Sequence, residues 1–148
     1  MIQNLLDDVN IHDDFKECIK FHGHMCPGLA YGYIISKKAV ELLNLKRSAD
    51  EEIVAECESD SCVVDSMQVL LGTTAGKGNL IIKNYGKSVF TIYSRKRNKA
   101  YRFKRVSGYR YTETDHEEFS MLEKKVSDKT ATHKERIRQK YLKTLDLI

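Results

Sequence analysis

The sequence predicts an α+β fold: an antiparallel sheet with helices packed on one face and a helical C-terminal tail. Three features of the chain carry this reading. A wide apolar helical face runs from Pro27 to Leu43, three short alternating runs lie between Leu80 and Val106, and the chain from about Thr114 onward is charge-rich with helical spacing. At 148 residues, 41% hydrophobic and 31% charged, the chain has the composition of a single soluble domain, which excludes disorder and collagen-like structure. The core is expected over residues 1–112, with a helical extension over 113–148.

The first helix is predicted from Asp13 to Phe21, because Phe15, Cys18, Ile19 and His22 fall at helical spacing behind two acidic first-turn residues. Pro27 is tolerated at a first helical position and opens the second helix. That helix has Leu29, Tyr33, Ser36, Val40 and Leu43 on one side, with Ile35, Ala39 and Leu42 beside them. Gly28, Ala30 and Gly32 keep its first turns slim, so another backbone or a ligand can come close. Glu52 to Cys57 reads as a strand. A polar link, Glu58 to Ser61, then leads to a third helix starting near Cys62 that turns Val63, Met67, Leu70 and Leu71 inward.

The glycine-rich segment Gly72 to Asn79 joins that helix to the next strand. It lacks the spacing of a phosphate-binding loop and does not run from strand to helix, so a long turn is the better reading. Lys77 is its candidate cofactor-binding side chain. Leu80 to Tyr85, Ser88 to Arg95 and Ala100 to Val106 are expected to form an antiparallel meander, with turns at Tyr85-Gly86-Lys87 and Lys96 to Lys99. The tail is helical with a break near Ser127-Asp128. Its stripe of Ile137, Tyr141, Leu145 and Ile148, with Leu142 alongside, must be covered by its own domain or by a second protomer.

The net charge of +4 is concentrated in one place, since eight basic and no acidic residues lie between Arg95 and Arg110. The interleaved Tyr101, Phe103, Tyr109 and Tyr111 would allow base stacking, but the alternation fits an ordinary strand with one wet face, so a nucleic-acid partner is not favoured. No stretch approaches the ~18 apolar residues of a membrane span, and the amino end has no signal-like segment. A cytoplasmic protein is expected. Four cysteines at 18, 26, 57 and 62 do not form a disulfide framework, so each is a packing residue, a metal ligand or a reactive thiol.

The densest chemical signal is Phe21-His22-Gly23-His24-Met25-Cys26-Pro27-Gly28. Cys26 is expected to cap the second helix, where the dipole and free N–H groups favour thiolate. His24 and Cys26 are two apart, so one tight loop can aim both at a single ion. In Cys57-Glu58-Ser59-Asp60-Ser61-Cys62-Val63-Val64-Asp65-Ser66-Met67-Gln68, Cys62 also sits at a helix start, with Asp65 one turn in. Cys62 can complete a His/Cys metal site or pair with Cys26 as a redox couple; spacing alone leaves both open. Asp65 is the candidate catalytic group for moving a proton, or it serves the helix dipole. Cys18 and Cys57 are expected to be buried packing residues.

Taken in order, His22 to Gly28, Cys62 to Gln68, Gly76-Lys77-Gly78-Asn79-Leu80 and Tyr85-Gly86-Lys87 resemble the family of molybdenum formylmethanofuran dehydrogenase operon proteins. The resemblance covers about residues 13 to 106. It implies a dimerising α+β core with a transition-metal or zinc site made by the His and Cys of the first motif and the Cys of the second. Many relatives carry a further cysteine shortly after the glycine that here begins Gly72-Thr73-Thr74, and many end in a four-cysteine zinc domain, whereas this sequence has no cysteine after Cys62.

The expected function is therefore metal binding through His24, Cys26 and Cys62, with His22 as a fourth or outer ligand. Zinc is the default ion for such donors, with nickel, copper or iron as alternatives. Three ligands would leave an open position for small-molecule chemistry, and four would be structural. The competing expectations are a thiol redox protein using Cys26 and Cys62, and an accessory protein that docks a molybdenum or tungsten enzyme through its basic hairpin. A homodimer is the expected assembly.

Overall fold

The computed structural model describes residues 11–105 and 113–145. In chain order the elements are α1 (Asp13–His22), α2 (Pro27–Leu43), β1 (Ile53–Cys57), α3 (Val63–Leu71), β2 (Leu80–Ile82), β3 (Val89–Ser94), β4 (Lys99–Lys104), α4 (Glu113–Ser127) and α5 (His133–Leu145). The class is α+β, and the tail is two helices broken at residues 128–132, close to the predicted interruption. Among the described residues no helix is long and apolar enough to cross a membrane.

The sheet corrects the expected meander. Its order is β2-β1-β3-β4. β3 pairs antiparallel with both β1 and β4, with Ile92 opposite Ala55 on one side and Tyr101 on the other. β2 instead pairs parallel with β1, Ala55 facing Leu80. A parallel neighbour needs a crossover, and α3 with the 72–79 loop supplies it. Tyr85-Gly86-Lys87 is consequently no hairpin turn. The N–H groups of Lys83, Tyr85 and Lys87 donate to the carbonyls of Cys57 and Glu58, so the segment wraps around the end of β1 from one side to the other.

Asn79 anchors the crossover loop. It is 1% exposed, and its Nδ2 reaches the carbonyls of Asp50 (3.1 Å), Ile53 (2.9 Å) and Gly72 (3.2 Å), while its Oδ1 accepts from Thr74 N–H at 3.0 Å. These bonds satisfy backbone groups that the turn leaves unpaired, which accounts for an Asn in a buried place. The loop is the long turn that its spacing suggests.

Two apolar clusters lie on the two sides of the α2–α3 pair. One fills the space to the sheet with Ile35, Ala39, Val63, Met67, Phe90 and Ile92 among others, and the other joins Phe15, Cys18 and Ile19 of α1 to Leu29 and Ala30 of α2. Leu42 is exposed and Leu70 only half-buried, contrary to their expected inward positions, because the buried stripe of α2 centres on Ile35, Ala39 and Leu43. In the tail, Ile137 packs on the second cluster and Leu142 is fully buried, so these two positions are covered within the chain. Tyr141, Leu145 and Ile148 lie outside the described side chains, as do Tyr109 and Tyr111. In β4, half-buried Tyr101 and Phe103 alternate with exposed Ala100, Arg102 and Lys104, the wet-faced strand that the alternation suggests.

α2 and α3 approach unusually closely. A Cβ on Gly32 would stand 2.3 Å from the Val63 carbonyl oxygen, and one on Gly28 would stand 3.0 Å from the Cys62 Cβ. Ser66 Oγ closes the contact from the other helix by donating to the Leu29 carbonyl at 2.6 Å. Gly32→Ala gains about 1 kcal/mol of helix propensity. It must then push two backbones apart, and overpacking costs about 1 to 3 kcal/mol or more. Urea denaturation should show a net loss for Gly32→Ala, and no loss for Gly76→Ala, where a Cβ would meet nothing within 4 Å.

Candidate metal centre

The site is built where α1 ends and α2 begins. Gly23 ends α1 with φ 96°, and its N–H closes on the Ile19 carbonyl at 2.8 Å. That left-handed cap, cheap only for glycine, folds the chain back so that the His24 ring lies 4.5 Å from the His22 ring, centre to centre. Met25 is buried and pins the loop. Cys26 then caps α2 as expected, its Sγ accepting from Leu29 N–H at 3.4 Å.

His22, His24 and Cys26 each present a ligand atom, and the three atoms lie within 4.8 Å of one another. His22 is mostly buried and His24 is exposed. His22 Nδ1 lies 2.6 Å from Asp65 Oδ2, 43 residues away on the first turn of α3. A carboxylate only accepts, so Nδ1 carries the hydrogen and the Nε2 lone pair is left free. Nε2 lies 3.8 Å from Cys26 Sγ. Two donors held about 2.0 and 2.3 Å from a tetrahedral ion stand about 3.5 Å apart, so the observed gap is close to the edge of such a site. The oriented imidazole, the nearby thiol and the backing carboxylate fit a borderline-soft metal ion.

Cys62 stands at the start of α3 but lies outside the three-residue cluster. Its thiol makes no cap bond and instead adjoins the thiol of Cys26. Burial, then the neighbouring Cys26 thiol, pushes the Cys62 thiol up, the reverse of what a helix start alone would do. Both cysteines are free thiols. Lys77 is not brought to this place. Its ammonium donates to the Ser48 carbonyl at 2.9 Å and the Ala49 carbonyl at 3.4 Å, where it ties down the chain ahead of β1.

Gln68 is a neighbour that sequence reasoning missed. Its Nε2 donates to Asp65 Oδ1 at 3.2 Å, so both oxygens of that carboxylate are engaged. The signal was present as an i, i+3 pair on one helix face.

A family model described as "FmdE, Molybdenum formylmethanofuran dehydrogenase operon" matches residues 21–148. The chain belongs to the FmdE family. The match spans the His/Cys loop, the start of α3 and the tail helices. This FmdE chain is also 40% identical over 81 residues to a protein of Archaeoglobus fulgidus described as a probable S-adenosyl-L-methionine-binding protein. That stretch is 52% of this chain and 22% of the Archaeoglobus protein, so the likeness is to a small part of it.

The other two cysteines are packing residues, as expected. Cys18 and Cys57 are 0% exposed, and burial pushes their thiols up to about 11 and about 12. A small disulfide reagent added to the native metal-free protein at neutral pH should therefore modify the half-buried Cys26 and Cys62 and leave Cys18 and Cys57 untouched until urea unfolds the chain. Peptide mapping reads this directly, and early labelling of Cys18 would contradict the burial.

Proposed function

We propose that this FmdE protein binds one transition-metal ion, zinc by the chemistry of its donors, through His22 Nε2, His24 and Cys26, with the Cys62 thiol beside this three-donor set. The observation that carries the reading is the Asp65–His22–Cys26 arrangement. A carboxylate on Nδ1 fixes the imidazole tautomer and raises the basicity of the nitrogen that faces the thiol. A metal-ligating histidine as a rule donates its other N–H to a carboxylate, a backbone carbonyl or water, and an N/S donor set suits zinc, nickel, copper or iron better than magnesium or calcium.

A bound ion would supply Lewis acidity to a small molecule entering its open position. The chain's own groups set what else happens there. Asp65 has both oxygens occupied, so it acts by holding His22 rather than by collecting a proton itself. Exposed His24 is the donor that a solvent-borne molecule meets first. If Cys62 is the fourth ligand, the site is closed and serves to hold or pass on metal; if it stays outside, three ligands leave a catalytic opening. Assembly into a homodimer belongs to the same proposal, with exposed Ile81 and Ile82 on edge strand β2 as apolar surface for it. Docking to a molybdenum or tungsten enzyme through the basic hairpin would add to this role without replacing it.

A second reading rests on the contact between the Cys26 and Cys62 thiols: a reversible disulfide, in which the pair gives up two electrons and two protons to a thiol-reactive oxidant. Elemental analysis of protein purified without chelator or histidine tag separates the two. The metal reading predicts near one ion per chain, lost in Cys26→Ser and weakened in Cys62→Ser. No ion in the wild type, with Cys26 and Cys62 oxidising together, would favour the redox couple.

A further inference from the structure

We propose that Gln68 is a positioning residue for the metal centre, through which the 72–79 loop holds the Asp65–His22 pair in the geometry that binds the ion. The inference rests on the metal reading above. A carboxamide has a donor end and an acceptor end, and here each end has one partner able to take it. Ala75 N–H can only donate, and it lies 3.4 Å from Gln68 Oε1. The Asp65 carboxylate can only accept, and Gln68 Nε2 lies 3.2 Å from its Oδ1. The amide orientation is therefore fixed from both sides. The chain of contacts then runs from the loop backbone through Gln68 to Asp65, and from there to His22 Nδ1 at 2.6 Å.

The loop end of this chain is itself anchored. Asn79 Oδ1 holds Thr74 N–H next to Ala75, and Arg47 binds the Val69 and Gln68 carbonyls at 2.8 and 3.3 Å, fixing the last turn of α3. Gln68 thus has a rigid support at its backbone and at its Oε1. Without it, Asp65 keeps only the His22 bond and is free to rotate, and the imidazole loses its fixed aim. A group bonded directly to a ligating histidine, the place of Asp65, is commonly worth about tenfold to a hundredfold in metal affinity, and Gln68, one bond further out, is expected at the lower end of that range.

The test is a visible-absorption titration with Co2+ alone, using the full chain and its Gln68→Met, Gln68→Glu, Asp65→Ala and Gln68→Met/Asp65→Ala variants. Gln68→Met should weaken Co2+ binding by about tenfold and alter the d–d bands of the bound ion. Gln68→Glu can still accept from Ala75 N–H but sets a second carboxylate against Asp65 in place of a donor, so it should disturb the site at least as much as Gln68→Met; it also carries the test if Gln68→Met does not fold. In the Asp65→Ala background, Gln68→Met should change affinity by less than about twofold, because its route to His22 is already cut. Wild-type affinity and spectrum in both Gln68 variants, or an undiminished effect without Asp65, would overturn the proposal while leaving the metal site standing. Failure of the wild type to bind Co2+ or Zn2+ would overturn the metal reading and this inference with it.

Discussion

The backbone-to-backbone contact between α2 and α3 is the constraint from which the site follows. Gly32 lies against the Val63 carbonyl and Gly28 against Cys62, and Ser66 bonds the Leu29 carbonyl across the gap. Only glycine allows helices to meet at this separation. With the helices so close, the start of α3 lies beside the start of α2, which brings Cys62 next to Cys26. The same contact sets Asp65 against the end of α1. A helix pair separated by ordinary side chains would hold these groups too far apart to share one ion.

Within that frame the Asp65–His22 bond decides what the cluster can do. A free imidazole beside a thiol has two tautomers and no fixed aim. The carboxylate selects the tautomer with its lone pair toward Cys26, and Gln68 in turn keeps the carboxylate in place. The arrangement costs little in packing because the partners are partly exposed and lie outside the apolar core. A single hydrogen bond of this kind adds only about 0.5 to 1.5 kcal/mol to stability, or somewhat more where one partner is charged. Its value lies in aim, and that is why the contact points to metal binding.

Much of this was legible in the sequence where the signal is local. Helical spacing placed α1, α2 and the broken tail, and Pro27 after Cys26 located a capped helix start. Gly28 and Gly32 announced a close approach, and the burial of Cys18 and Cys57 followed from their apolar surroundings. The parallel pairing of β2 was missed because Tyr85-Gly86-Lys87 has hairpin chemistry, yet strand, helix and strand in succession is the pattern of a crossover unit. Lys77 was drawn to the site by its glycine-rich loop, but two backbone carbonyls ahead of β1 hold its ammonium. The pairing of His22 with Asp65 spans 43 residues, and no local rule predicts a bond across that distance. Metal-ligand spacing found the first motif because its donors share one loop, whereas the relation of Cys62 to them depends on how two helices pack.

In the proposed site an imidazole aimed by Asp65 and the Cys26 thiol bind the same ion. X-ray absorption at the metal edge of protein loaded with one equivalent of Zn2+ tests it most directly. At least one sulfur scatterer near about 2.3 Å is expected together with imidazole nitrogens near about 2.0 Å. A shell that lacks sulfur, or one that lacks the imidazole signature, would contradict it.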